Sequence, residues 1–291
     1  MKTKISYRPS QLDEASNPNA GQNQTRLPFV LWLLSVISII LLILVGGGLF
    51  FFPDFSRPIW LWSLTPFNLR FLGAIYLTAL VALANLVLAK RAALIRLIVP
   101  MMWVFTTVVL LVSCLHIEQF NAGRKTTDIW FWLYLIDCVG ASYYLGYIKQ
   151  ISFGGLCRLP LAWSVALGVQ AGLLGVYGLG LLIFPEVTSS SWSWPLDVFH
   201  SRLYSSIFLT GAIGSAILSV RANAIECRAL GVIQVAFSGW VLAGVWVVDS
   251  AVKKIDWSLS SNWVWLGAIA LPGIFGIGLI LQSQNGREDR L

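Results

Sequence analysis

Residues 52–74 read FPDFSRPIWLWSLTPFNLRFLGA, and residues 184–206 read FPEVTSSSWSWPLDVFHSRLYSS. The two stretches share Phe-Pro, Trp-x-Trp-x-Leu and an arginine in one register, 132 positions apart. Tryptophan is too rare for that spacing to follow from shared apolar composition. Working outward, the register runs without a gap from residue 27 to residue 110, with Leu27-Pro28 returning as Leu159-Pro160. Beyond it, Trp130-x-Trp132-Leu133 matches Trp263-x-Trp265-Leu266 after one extra residue in a loop, where length changes are tolerated.

The repeated unit is a group of membrane spans. At 57% hydrophobic and 11% charged residues, with a mean hydropathy of +0.76, a chain of 291 residues is too apolar for a soluble domain. A helix needs about 20 apolar residues to cross the hydrocarbon core. Eight runs qualify: 27–52, 67–89, 97–117, 129–148, 159–184, 199–220, 229–249 and 263–282. Their continuity excludes a barrel, whose strands alternate in short segments. The expected fold is an all-α integral membrane protein with eight transmembrane helices, arranged as two tandem parallel four-helix repeats. Four spans per unit return the chain to its starting side, so the copies are parallel and not inverted. The expected divisions are a disordered cytoplasmic tail 1–26, a first repeat 27–150, a linker 151–158, a second repeat 159–282 and a tail 283–291.

Charge sets the expected orientation. Lys2, Lys4, Arg8, Arg26, Lys90, Arg91, Arg96, Lys149, Arg158, Arg221, Arg228, Arg287 and Arg290, 13 of the 20 basic residues, lie on one side. Cytoplasmic loops are enriched in Lys and Arg, which predicts a bacterial cytoplasmic (inner) membrane protein with both termini inside. The net charge of +7 then reflects topology and anionic lipid; no basic cluster with interleaved aromatics suits nucleic acid. The first run is longer than the apolar core of a signal peptide. Cys114, Cys138, Cys157 and Cys227 show no CxxC spacing, and two histidines are too few for a metal or haem site, so no metal and no cofactor is expected.

The repeated loops have a physical reading at each position. Pro53 and Pro185 end the first helix of each unit. Nine tryptophans, including Trp60, Trp62, Trp130, Trp132, Trp192, Trp194, Trp263 and Trp265, fall on the outer side. They read as an interfacial aromatic belt or as a binding shelf for carbohydrate, lipid or a partner. Thr65 and Asp197 are expected N-caps, with Pro66 at the first helical position. Arg70 and Arg202 then sit five residues in, close to hydrocarbon, where a cation needs a partner. Asp54 and Glu186, just after the prolines, are the expected partners; snorkelling to lipid phosphate and ligand contact are the alternatives.

Trp60 to Ala74, read as Trp-x-Trp-x-Leu-Thr-Pro-x-x-x-Arg-x-x-Gly-Ala, resembles a motif of uncharacterised multi-pass bacterial membrane proteins. The second copy departs from it with Asp197 for Thr, Val198 for Pro and Ser205-Ser206 for Gly-Ala. The resemblance spans about fifteen residues and implies no activity.

Asp137 is the acid that no surface can accommodate: it stands near the middle of the fourth run, where a carboxylate costs about 2.5 kcal/mol or more. The second unit has Ala270 at the equivalent place, so a site there is single. Either Asp137 is functional or it bonds Thr106, Thr107 or Ser113 as interhelical glue. His116, Glu118 and Asp249 form a weaker cluster at helix ends; His116 and Glu118, two residues apart on a helix, face different directions. Gly168, Gly172, Gly175 and Gly178, and Gly267, Gly273, Gly276 and Gly278, fit close helix packing. Three functions stay open: a small-solute or lipid pathway between the halves, a structural or assembly subunit, and a lipid-directed enzyme using outer-face acids. The expected partners are the lipid bilayer and, for a subunit, other membrane proteins or further copies in a homo-oligomer.

Overall fold

A computed structural model describes residues 27–89, 94–121, 123–151, 153 and 156–288, with side chains as far as residue 284. The tail 1–26, with its four basic residues, lies outside the described residues, as do Lys90, Arg91, Arg290 and the side chain of Arg287. Among the described residues the regular secondary structure is helical apart from one isolated antiparallel bridge between Cys157 and Ala222. In chain order the helices are α1 Phe29–Phe51, α2 Pro53–Ile59, α3 Pro66–Ala89, α4 Ile95–Leu115, α5 Lys125–Ile148, α6 Leu161–Ile183, α7 Pro185–Ser189, α8 Val198–Val220, α9 Ala224–Val252 and α10 Ser260–Glu288.

Seven of these are long and apolar enough to cross a membrane: α1, α3, α4, α6, α8, α9 and residues Ser260–Gln284 of α10. The chain is therefore a multi-pass membrane protein of all-α class. The eighth expected span, α5, is there as a helix of 24 residues, but Asp128, Asp137 and four tyrosines make it less apolar than the others.

Local sequence explains the helix ends. Pro28 and Pro160 precede α1 and α6 with nearly the same backbone angles, φ −55° and ψ 136° against φ −48° and ψ 142°. Phe52 and Phe184 close those helices at φ −124° and −120°, where Pro53 and Pro185 deny the ladder its next N–H and begin the short α2 and α7. Thr65 caps α3 by accepting from the Asn68 N–H at 3.3 Å, and Asp197 caps α8 by accepting from the His200 N–H at 2.8 Å. Both expected N-caps are present.

Packing pairs neighbours first: α1 lies on α3, α4 on α5, α6 on α8 and α9 on α10. The two groups then exchange contacts, α3 with α9 and α4 with α8. Over their most apolar windows α3 and α8 are each 56% buried, whereas α1 and α6 are each 17% buried. The first pair is thus the interior of the bundle and the second its lipid-facing rim. The tightest crossing is at Gly231 and Gly276, where a Cβ on either would come within 2.5 or 2.6 Å of the other's carbonyl oxygen. Gly168 and Gly172, expected to serve this purpose, have open space where a Cβ would go. Their helix shows that face to lipid.

Candidate functional site

A cavity of about 320 Å³ lies among α1, α3, α4 and α5, with Ile207 and Thr210 of α8 and Ile233 of α9 at its inner side. On α1 it is lined from Ser38 to Val45, and on α5 from Thr126 to Asp137. At about 1.5 Å per residue the α5 wall is about 16 Å long. One turn beyond Asp137, Leu34 lies beside Gly140, a contact between α1 and α5. The expected pathway ran between the halves; most of this cavity's lining comes from the first half of the chain, with Ile207, Thr210 and Ile233 from the second.

Asp137 is half-buried on this wall, and its carboxylate has no hydrogen-bond or ion-pair partner among the described residues. The three hydroxyls expected to hold it are engaged elsewhere. Thr106 donates to the Met102 carbonyl at 2.9 Å, Thr107 pairs with Cys138 Sγ at 3.2 Å, and Ser113 accepts from Trp130 Nε1 at 3.0 Å. Five aromatic side chains share the lining: Trp60, Tyr76, Phe105, Trp130 and Tyr134. Tyr76 and Tyr134 join hydroxyl to hydroxyl at 3.2 Å, and the Trp130 and Tyr134 rings stand 4.6 Å apart.

The paired outer-face charges take a different arrangement from the one expected. Neither Asp54–Arg70 nor Glu186–Arg202 forms a salt bridge within 4.0 Å among the described residues. Each arginine instead donates to a carbonyl 20 residues earlier: Arg70 to Phe50, and Arg202 Nε to Leu182 at 3.2 Å. These carbonyls are orphans of the proline-terminated helices, and a cation at a helix C-terminus also suits the macrodipole. Ser201 Oγ donates to the neighbouring orphan, Leu181 O, at 3.4 Å. The loop is clamped, but to backbone.

His116 and Glu118 do meet, at 3.3 Å, because α4 ends at Leu115 and a 3-10 turn swings Glu118 back. Arg202 Nη1 lies 3.0 Å from His116 Nε2. A guanidinium can only donate, so Nε2 accepts and Nδ1–H faces Glu118. Asp249 is a structural cap: its carboxylate accepts from the Lys254 and Ile255 N–H groups at 3.0 and 2.9 Å and from Trp257 Nε1 at 2.7 Å. That cap supports Lys253 in the left-handed region, at φ 48°.

The tryptophans mostly turn inward instead of lying along a boundary. Trp62, Trp130, Trp192, Trp194 and Trp265 are buried, Trp60 is partly so, and Trp132 and Trp263 are exposed at 64% and 57%. Trp62 Nε1 donates to His200 Nε2 at 3.1 Å, while Trp194 Nε1 donates to Asn68 Oδ1 at 2.8 Å. His200 stands 132 positions after Asn68, so each group of helices supplies an indole to the same position of the other. Trp60 and Trp192, at matching positions, both bury an indole N–H without an acceptor among the described residues. The omission therefore belongs to the loop geometry and not to the cavity.

His200 also holds Asp197, with Nδ1 2.6 Å from Oδ2. Burial pushes the Asp197 carboxyl up, but the hydrogen bonds it receives from the His200 ring and the His200 N–H outweigh it and hold the carboxyl below the usual carboxylate range. A depressed folded value contributes stability that is complete above about pH 4, the unfolded value, and is lost as pH falls through the folded one. The expected result is an acid-side change in tryptophan fluorescence that is weaker in Asp197→Asn. An acid transition identical in that variant would detach it from this group.

Two arrangements carried little signal in the sequence. Glu226, fully buried, meets Arg96 at 2.7 Å and closes a capping box with Asn223. The Asn-x-x-Glu spacing advertises the box, but nothing local points to Arg96, 130 residues away. Gln170 accepts from Ser215 at 3.2 Å and from Gln234 at 3.1 Å, joining two amides that look scattered along the chain. Comparison of the chain with protein-family models, with curated proteins and with solved structures returned no match.

Proposed function

We propose that the chain is an eight-span, two-fold protein of a bacterial cytoplasmic membrane that takes an amphiphile from the bilayer into the cavity beside Asp137. The observation that carries this reading is the unpartnered carboxylate on the wall of a cavity of about 320 Å³. Intramembrane carboxylates are costly, and those without a protein partner mark pathways or ligand sites. α1 and α5 flank the cavity and belong to the rim of the bundle, so entry is sideways from lipid. Counting α5 as a span makes eight. The duplication is supported by the matched cap angles, the two arginine-to-carbonyl bonds and the exchanged tryptophan bonds. The 13 to 7 partition of basic residues favours termini on the cytoplasmic side.

The competing functions fare less well. A purely structural subunit calls for helices packed throughout, and the cavity interrupts the packing among α1, α3, α4 and α5. A lipid-directed enzyme calls for converging carboxylates at the tryptophan loops, where Asp197 and Asp249 are engaged as caps.

Ala79→Trp, on the α3 side of the cavity wall, fills the space and leaves the residue at position 137 unchanged. Native mass spectrometry of protein released from a mild detergent is expected to show a retained amphiphile on the wild type and none on this variant. Equal adducts on both, with both proteins monodisperse and equally helical, would overturn the reading.

A further inference from the structure

We infer that the cavity selects a monovalent organic cation, an alkylammonium amphiphile whose charged nitrogen sits between Asp137 and the aromatic wall. The inference rests on the reading that the cavity takes an amphiphile from the bilayer, and it specifies the headgroup.

The first step concerns what can discriminate at all. A ligand entering from lipid leaves one apolar surrounding for another, so burying its chain gains almost nothing. Selectivity must come from the few polar groups on the wall. Among the lining residues Asp137 is the sole carboxylate, and no lining residue is a lysine, arginine or histidine. The carboxylate thus meets no counter-charge among the described residues that line the cavity.

The second step concerns which cation fits. A hard metal ion needs several oxygen ligands at once. Around Asp137, Thr106 and Thr107 are already committed to other partners, and the Tyr134 hydroxyl is paired with Tyr76. An alkylammonium needs no such set, because its charge is spread over surrounding methyl or methylene groups and is matched by one anion and aromatic faces. The wall provides that combination. Tyr134 lies one turn before Asp137 on α5, its ring 4.6 Å from Trp130 and 6.5 Å from Phe105, and the Tyr76 hydroxyl meets its own at 3.2 Å. From Tyr134 the α5 wall continues about 12 Å to Thr126, at about 1.5 Å per residue, which leaves room for a chain. The second half has Ala270 in place of Asp137 and Gln170 in place of Ser38, so it presents no equivalent anion.

The full chain in phosphatidylcholine nanodiscs provides the test, with tritiated dodecyltrimethylammonium and, separately, tritiated dodecanol as probes. Saturable cation binding is expected in the wild type, weakened about ten-fold or more in Asp137→Asn and retained within about three-fold in Asp137→Glu, since one carboxylate–cation contact in an apolar site is worth at least that factor. Dodecanol is expected to bind more weakly and to be insensitive to Asp137→Asn. Ala79→Trp is expected to abolish binding of both probes. If dodecanol and the cation bind alike and Asp137→Asn changes neither, the headgroup inference falls while the cavity reading stands. If neither probe binds the wild type above the level of Ala79→Trp, the cavity reading falls and takes the inference with it. Asp137→Glu also guards against misfolding: loss of cation binding in both Asp137 variants, with dodecanol still bound, would show that the position and not the charge matters, and would overturn the inference.

Discussion

Replacing Glu226 with alanine is expected to lower the unfolding free energy by about 3 to 5 kcal/mol, the usual cost of breaking a buried ion pair by removing one partner. Its side chain is fully buried and that of Arg96 is 17% exposed, so solvent screens the pair little. The contact is bidentate, with Arg96 Nε 2.8 Å from Oε1 and Nη2 2.7 Å from Oε2. Oε2 also accepts from the Asn223 N–H at 3.0 Å, while Arg96 Nη2 donates to the Arg221 carbonyl at 2.6 Å. Removing the carboxylate therefore strands a guanidinium at the start of α4, where the helix dipole is already positive, and opens the cap of α9. Glu226→Gln keeps most of the cap and is expected to lose less, about 1 to 3 kcal/mol. The double substitution Arg96→Met with Glu226→Met is expected to recover much of the loss, because the desolvation cost of both charges disappears with them. Denaturant unfolding in mixed micelles measures all three. A loss below about 1 kcal/mol in Glu226→Ala would place the pair with solvated surface bridges and remove its role in tying α4 to α9.

How far the sequence discloses this molecule depends on the range of the interaction. Helices come through well because their determinants are local: apolar runs of spanning length, Pro53 and Pro185 as terminators, Thr65 and Asp197 as caps. Asp137 stands out for the same reason, since an acid within an apolar run is read from the sequence of one helix alone. Partners across the bundle are not. Arg70 and Arg202 need compensation on electrostatic grounds, yet the nearest acids in sequence, Asp54 and Glu186, lose to carbonyls that become available only when the preceding helix is stopped by proline. Tryptophan is equally ambiguous, because an amphipathic ring suits a membrane boundary and a buried cluster alike. Which of these is realised depends on whether a neighbour offers an acceptor, and His200 and Asn68 lie more than 120 residues from the indoles they bind. The glycines show the same limit: spacing marks Gly168 and Gly172, but the crossing with backbone contact is at Gly231 and Gly276, on two different helices.

Trp62→Ala and Trp194→Ala are each expected to cost about 3 to 5 kcal/mol, the range for truncating a buried large aromatic residue. Trp62 is 3% and Trp194 5% exposed, and each packs edge-on or stacked against several rings: Trp62 against Phe120, Trp130 and Phe199, and Trp194 against Phe67, Phe71 and Trp265. Phenylalanine at the same positions keeps part of the packing and removes the N–H, leaving His200 Nε2 or Asn68 Oδ1 buried without a donor, an expected loss of about 1 to 3 kcal/mol for that orphan alone. The acceptors give the sharper comparison. If the two groups of helices use one interaction twice, His200→Asn puts at position 200 the acceptor that already serves at position 68. It is expected to be tolerated better than His200→Leu, which deletes the acceptor while keeping similar bulk. The same order is expected at position 68, with Asn68→His above Asn68→Leu. Combining Trp62→Phe with His200→Leu should cost less than the sum of the two, because the orphan left by either change is removed by the other. Additive losses at both sites, with leucine no worse than the exchanged residue, would mean that the indole bonds are incidental to packing and that the two halves are joined by shape alone.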